Sequence, residues 1–260
     1  MQVIIADSAQ EVARLGADQL SRLLRTTPEA VLGLATGNTP IALYEELIRR
    51  YRQGELSFAR AQSFNLDEYV GLAPEHPQSY RYFMNRYLFS QIDIPLARTW
   101  VPDGMADPAS AGEVYESLIE AAGGIDLQVL GIGRNGHIGF NEPSSSLGSR
   151  TRIKTLAPQT LADNSRFFAV DEFQPSLAIT MGIGTILRSR KALLLATGDA
   201  KADAVHAMVE GPVTASCPAS ALQLHPCAVV IVDRAAGARL QHGEYYQRVR
   251  QQTDQLSSRD

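Results

Sequence analysis

The chain is poor in cysteine, tryptophan and uninterrupted apolar sequence, and each shortage removes a class of protein. Its 260 residues hold one tryptophan and two cysteines, Cys217 and Cys227. Two thiols this far apart make neither a disulfide framework nor a CxxC metal site, and both are expected to be reduced and buried. The apolar runs fall well short of the ~18 residues a membrane-spanning helix requires, so no membrane partner is expected. The opening residues, Met1-Gln2-Val3-Ile4-Ile5-Ala6-Asp7, carry no basic segment leading into an apolar one, which points to a cytoplasmic location. Positive charge is not in excess either. A formal net charge of −4 and a pI near 5.8 argue against nucleic acid, whose phosphates reward clustered Lys and Arg. A local basic pocket for a single phosphate is compatible with that balance. Internal repeats, low-complexity tracts and linkers are absent.

What is present is ordinary globular composition, 45% hydrophobic and 20% charged. The length suits one α/β domain spanning 1–260. Six short apolar runs, Val3-Ala6, Val31-Ala35, Ala61-Leu66, Leu127-Ile132, Ala192-Ala196 and Ala228-Val232, end at loop-forming residues and read as strands buried on both faces. Helical patterns lie between them, over Gln10-Leu24, Ile41-Tyr51, Ser79-Phe89, Ala109-Ala122 and Ala200-Val209. Alternating strand and helix predicts an open, mostly parallel sheet with helices on both faces, and ligands at the carboxyl ends of the strands. Residues 157–176 are the least regular stretch and read either as a mobile lid or as a surface helix. The polar tail Tyr245-Asp260 reads as a solvated helix.

Three segments could carry chemistry. Ala35-Thr36-Gly37-Asn38-Thr39-Pro40 joins a strand to a helix, where backbone N–H groups and two threonine hydroxyls suit a phosphate. The same residues read equally as a plain helix start with Thr39 as N-cap, and the Gly-Lys-Ser/Thr ending of a Walker A loop is missing. Phe64-Asn65-Leu66-Asp67-Glu68-Tyr69 places polar residues at the end of a buried strand. Asp67 there is a helix cap or, with its pKa raised by burial, a proton shuttle. The richest segment runs from Leu130 to Pro143 and contains a literal GxGxxG from Gly131 to Gly136. A dinucleotide site would need an acidic residue about 20 positions on, yet residues 147–160 contain none and Pro143 interrupts any long helix. What remains is His137, with Asn135 and Glu142 near enough to fix its tautomer and orientation. A structural histidine in a strained loop is the plainer alternative. No second histidine stands at ligand spacing, so no metal is expected. Lys201 follows a strand-ending Thr197-Gly198-Asp199 and could meet a phosphate as a point charge. Arg166 is a further basic candidate, and both could equally be solvated surface groups.

Taken in order, Thr36-Gly37-Asn38-Thr39-Pro40, Phe64-Asn65-Leu66-Asp67-Glu68-Tyr69-Val70-Gly71, Gly131 to Pro143, Ser149-Arg150-Thr151-Arg152-Ile153-Lys154-Thr155, Thr180-Met181-Gly182-Ile183-Gly184-Thr185 and Leu222-Gln223-Leu224-His225-Pro226 resemble the glucosamine-6-phosphate deaminase family. The resemblance implies a modified Rossmann-like fold, no cofactor, and a sugar phosphate as small-molecule substrate. It implies that Thr36, Gly37, Asn38 and Thr39 hold the phosphate with Arg166 and Lys201. It further implies that His137 opens the sugar ring, oriented by Glu142 and Asn135, and that Asp67 moves a proton between C2 and C1. Many members carry aspartate where this chain has Asn135, which leaves Glu142 to stabilise an imidazolium. Hexameric members bind N-acetylglucosamine 6-phosphate as an allosteric activator between subunits. Ser145, Ser146, Arg152 and Lys154 look like the matching residues, with Tyr245 or Tyr246 near a tyrosine of that site, so a homo-oligomer is expected. Rival readings are a galactosamine-6-phosphate deaminase, a 6-phosphogluconolactonase and a non-catalytic sugar-phosphate sensor. The sensor would need a DNA-binding segment, and no helix-turn-helix or basic patch appears before residue 31.

Overall fold

A computed structural model describes residues 1–157, 161, 168 and 173–257. The chain begins β1 (Gln2–Ala6), α1 (Ala9–Thr26), β2 (Val31–Leu34), α2 (Asn38–Arg52), β3 (Gln62–Asn65), β4 (Asp67–Tyr69), α3 (Tyr80–Tyr87), β5 (Thr99–Trp100), α4 (Ala111–Ala121) and β6 (Leu127–Leu130). It continues β7 (Arg152–Thr155), β8 (Leu177–Thr180), α5 (Ile183–Leu187), β9 (Lys191–Ala196), α6 (Ala202–Val209), β10 (Ala228–Asp233) and α7 (Gly243–Ser257). All six expected strands form within a residue or two of their predicted ends. Continuous apolar stretches such as Ala192–Ala196 and Ala228–Val232 are buried on both faces, as a parallel sheet with helices on each side requires.

The main sheet has seven strands in the order β1-β10-β9-β6-β2-β3-β5, and every pairing is parallel. One core packs α1, α2 and α3 residues such as Leu20, Leu43 and Met84 against Leu32, Leu34 and Val129. The other packs Ile119, Val205 and Ile183 against Phe64, Leu130 and Val230. Each fully buried aliphatic side chain of this kind contributes about 1.5–3 kcal/mol. From β2 the chain moves outward to β3 and β5, whereas β6 lies on the other side of β2. The strand order therefore reverses between β2 and β6, and the loops leaving these two strands part to form a crevice.

A second sheet, β4-β8-β7, is antiparallel and has no counterpart in the sequence reading. Met181 N–H donates to the Leu66 carbonyl at 2.7 Å, tying the end of β8 to the link between β3 and β4. Two further expectations are corrected. The helix after β2 begins at Asn38 with Gly37, not Thr39, as N-cap. Cys217 is buried as expected, but Cys227 is exposed. The stretch 157–176, read as a mobile lid or a surface helix, falls mostly outside the described residues. Among the described residues no helix is long and apolar enough to cross a membrane.

Candidate active site

The crevice between the β2 and β6 loops is a pocket of about 660 Å³. It is lined by Ala35 to Pro40, by Leu66 and Asp67, by Tyr80, by much of Gly131–Phe140, and by Lys201. Thr36, Gly37, Asn38, Thr39, Asp67, Asn135, His137 and Lys201 thus face one space, and Glu142 stands behind His137 without lining it. Arg166 lies outside the described residues.

At the floor, Gly37 adopts φ 108°, a conformation that favours glycine, and turns the chain into α2. No side chain caps this helix start, so its first backbone N–H groups open toward the pocket with the positive end of the helix dipole behind them. Pro40 stands in the first turn, where a missing N–H is harmless. Thr36 and Tyr80 are neighbours on this wall, and the Tyr80 hydroxyl donates to that of Tyr69 at 3.3 Å. Lys201 closes a one-turn 3-10 helix after β9 and brings an ammonium to the same wall.

Asp67 is the first residue of β4, not a helix cap, and is 6% exposed. Strand alternation turns Asp67 and Tyr69 toward the β6 loop and Glu68 to the opposite face. Gly139 lies over Asp67: a Cβ there would stand 3.2 Å from Asp67 Oδ2 and 2.9 Å from Thr180 Oγ1. Burial pushes the Asp67 carboxyl up to about 8, with the charge of Glu68 adding to it and no hydrogen bond pulling it back. Such a group is a base matched to neutral pH.

The β6 loop is held from several sides. Asn141, fully buried, donates Nδ2 to the Ile138 and Met181 carbonyls at 2.8 Å each. Phe140 N–H donates to Thr180 Oγ1, Ser144 N–H to the Ala215 carbonyl, and Ala219 N–H to the Gly136 carbonyl. Within this frame the His137 ring packs flat on Gly133, with no room for a Cβ there. His137 Nδ1 is out of solvent and 3.4 Å from Glu142 Oε2. Asn135 donates Nδ2 to that same Glu142 oxygen at 2.7 Å, and its Oδ1 accepts the His137 backbone N–H at 3.2 Å. Asn135 therefore orients Glu142 and the loop, and does not touch the imidazole itself.

The four residues matched to an effector site do not line this pocket. Ser145 is 2% exposed, Ser146 is exposed and accepts from Gly148 N–H, and Lys154 is half-buried. Arg152 turns inward and donates Nη1 to Asn141 Oδ1 at 2.9 Å, bracing the β6 loop. Tyr245 is exposed, and the Tyr246 hydroxyl donates to Glu210. Among the described residues no cluster of three or more metal-ligating side chains occurs.

The sequence reading missed Tyr80, Phe140 and Arg134 as lining residues. Tyr80 gave no signal, because it lies in a helical pattern and only the placement of α3 turns it into the pocket. Arg134 and Phe140 were within a segment already singled out, but nothing in the spacing told lining residues from anchors such as Ile138.

The family model described as glucosamine-6-phosphate isomerases/6-phosphogluconolactonase matches residues 5–231. A glucosamine-6-phosphate deaminase of Hahella chejuensis is 63% identical over 253 residues, covering 97% of each chain. One of Cellvibrio japonicus is 60% identical over 260 residues, covering 100% of this chain and 99% of its own. Among solved structures, a monomeric glucosamine-6-phosphate deaminase superposes with a TM-score of 0.89 at 44% identity, covering 92% of this chain and 99% of its own. A 6-phosphogluconolactonase of Trypanosoma cruzi, 18% identical with a TM-score of 0.73, shares the fold. By the family match across most of its length and by these full-length relatives, the chain belongs to the glucosamine-6-phosphate isomerase/6-phosphogluconolactonase family.

Proposed function

We propose that this chain converts glucosamine 6-phosphate and water into fructose 6-phosphate and ammonia. The observation that carries the reading is the convergence of Asp67, a buried carboxyl raised to about 8, and of His137 and Asn135, backed by Glu142, on one pocket of about 660 Å³, roomy enough for a sugar phosphate. The full-length deaminase relatives support it.

The phosphate docks on the backbone N–H groups of the Gly37–Thr39 turn, with Lys201 supplying charge and Arg166 expected to add to it. His137 Nε2 takes the proton of the C1 hydroxyl and returns one to the ring oxygen, opening the pyranose. The nearby Glu142 carboxylate steadies the charge that forms on the ring. Asp67 then removes the C2 proton. The C2 electron pair forms a double bond to C1, and the aldehyde oxygen gains a proton, which gives an enolamine. Return of the proton from Asp67 to C1 leaves an imine at C2, water adds to it, and the resulting carbinolamine expels ammonia. Every step moves protons and electron pairs within the substrate, so none calls for a nicotinamide. Positioned acid–base groups of this kind typically contribute about 10²–10⁴-fold each.

A solved relative at 44% identity is described as a monomer. On that support we read this chain as a monomer in solution, in place of the homo-oligomer expected from the resemblance, which size-exclusion chromatography checks. The test of the activity is ammonia release from glucosamine 6-phosphate, with galactosamine 6-phosphate and 6-phosphogluconolactone as parallel substrates and EDTA present. Ammonia from the gluco sugar alone is expected. Lactone hydrolysis without ammonia from either amino sugar would replace this reading with the lactonase one.

A further inference from the structure

β4 carries a second buried carboxylate for which the mechanism above has no use. We propose that Glu68 is a positioning residue for the reaction: from the back face of β4 it fixes the N-terminus of α3, and with it Tyr80, while holding a negative charge behind Asp67. This rests on the reading of Asp67 as the proton-transfer group.

Glu68 is 2% exposed, and its two oxygens gather three backbone donors. Oε1 accepts from Tyr69 N–H at 2.8 Å and Tyr80 N–H at 2.9 Å, and Oε2 accepts from Arg81 N–H at 3.0 Å. Tyr80 and Arg81 are the first two residues of α3, and the third N–H, of Tyr82, goes to the N-cap Ser79 Oγ at 3.0 Å. A helix needs only its own cap to begin, yet here a carboxylate from a different element takes two of the orphan N–H groups. The effect is to bolt α3 to the strand that bears Asp67. A carboxylate also suits the positive end of the helix dipole.

What the bolt positions is Tyr80. Its ring lies parallel to Phe140 of the β6 loop, at 6.0 Å and 7°, and 4.9 Å from Tyr69 of β4. Its hydroxyl donates to that of Tyr69 at 3.3 Å and neighbours Thr36 of the turn before α2. One side chain thus touches the phosphate turn, the β6 loop that bears His137 and the strand of the base. Glu68 fixes the helix end from which it projects.

Charge is the second part. Asp67 is faced by Glu68 and Tyr69 from its own strand, by Tyr80 from α3 and by Tyr115 from α4, while His137 and Lys201 line the pocket across from it. Arg81 faces Glu68, where its two terminal nitrogens are held by Thr99. Burial raises the Glu68 carboxyl itself to about 7 in spite of its three backbone donors, so its charge is present above that pH, and there it disfavours ionisation of the adjoining Asp67 and strengthens Asp67 as a base once ionised.

The test compares Glu68→Gln with Glu68→Asp, in kcat and KM from about pH 6 to about pH 9.5, beside Asp67→Asn. Glutamine keeps the length but removes the charge and turns an NH₂ toward one of the three donors. It should lower kcat roughly 10- to 100-fold and move the acid limb of the profile down by roughly half a unit to one unit. Aspartate keeps the charge but cannot reach α3, so kcat should fall by about tenfold or more with the acid limb in place. A Glu68→Gln enzyme with the wild-type acid limb overturns the electrostatic half, and a Glu68→Asp enzyme with wild-type kcat overturns the positioning half. Should Glu68→Gln fail to fold, by far-UV circular dichroism, Glu68→Asp decides the positioning claim alone. An Asp67→Asn enzyme that keeps turnover removes the base assignment and this proposal with it. A dead Asp67→Asn beside an unshifted Glu68→Gln fails only the role of Glu68's charge.

Discussion

Replacing Asp67 with asparagine should make the protein more stable while it destroys the reaction, because the carboxylate is held where a charge is costly. Burial raises its pKa from an ordinary 3.8 to about 8. In the unfolded chain this carboxyl ionises near pH 4, whereas the native state keeps the proton to about pH 8. Between those values the unfolded state binds fewer protons, so wild-type stability falls as pH rises through this window and levels off above it. At ~1.36 kcal/mol per unit, the whole shift corresponds to roughly 6 kcal/mol forgone above pH 8. Asparagine carries no such charge but must still bury an amide, at about 1–3 kcal/mol. The net gain should be roughly 3–5 kcal/mol at about pH 8.5, or about 6–20 °C in Tm for a chain of this size. Urea unfolding of both proteins at about pH 5 and about pH 8.5 reads this directly, with ammonia release followed on the same samples. The gap should be small at the lower pH and full at the higher. An asparagine variant less stable than wild type at both, or a gap that ignores pH, would refute the account of Asp67 as a buried, proton-holding base.

His137→Gln should lose ring opening yet retain part of its rate on an open-chain substrate analogue; equal losses on cyclic and open forms would remove the ring-opening role. Gly133→Ala forces a Cβ into the space of the His137 ring, so kcat should drop about 100-fold with phosphate affinity kept. Wild-type turnover there would contradict the packing. Asn135→Asp exchanges a 2.7 Å donor to Glu142 for a like charge, so the pair should hold a proton to higher pH and the acid limb should rise by about one unit. An unmoved profile would sever Asn135 from the array. Away from the site, His225 accepts Cys227 N–H on Nδ1 and donates from Nε2 to the Ser189 carbonyl, and burial lowers its pKa. Its neutral form stabilises the fold above the ordinary histidine range, and that contribution is lost as pH falls below about 6.5. His225→Gln should flatten this acid slope in urea midpoints; an unchanged slope would place its origin elsewhere.

The main sheet was legible because its strands are buried on both faces and so read as unbroken apolar runs, as in Leu127–Leu130 and Ala228–Asp233. The second sheet was not. β4 is three polar residues, Asp-Glu-Tyr, and β7 is the short Arg-Ile-Lys-Thr; neither is long or apolar enough to announce a strand, and each pairs with β8, which the Leu66–Met181 bond ties beside β4. Asp67 is therefore visible in the sequence as a candidate, while its burial, which raises its pKa, depends on a sheet that local pattern does not encode. His137, Asn135 and Glu142 could be grouped by proximity within one loop. Their division of labour could not, since whether Asn135 touches the imidazole or the carboxylate is decided by the turn through Gly133 and Gly136. The turn before α2 is legible from its glycine, but the alternative with Thr39 as N-cap does not form, and only the backbone shows that Gly37 takes the positive φ.

The central claim is that Asp67 carries the proton between C2 and C1. The most direct measurement is deuterium incorporation at C1 of fructose 6-phosphate in D₂O with ammonium present, for wild type and Asp67→Asn side by side. Incorporation by the wild type and none by a folded Asp67→Asn protein is the predicted result. Incorporation by Asp67→Asn at the wild-type rate would contradict it.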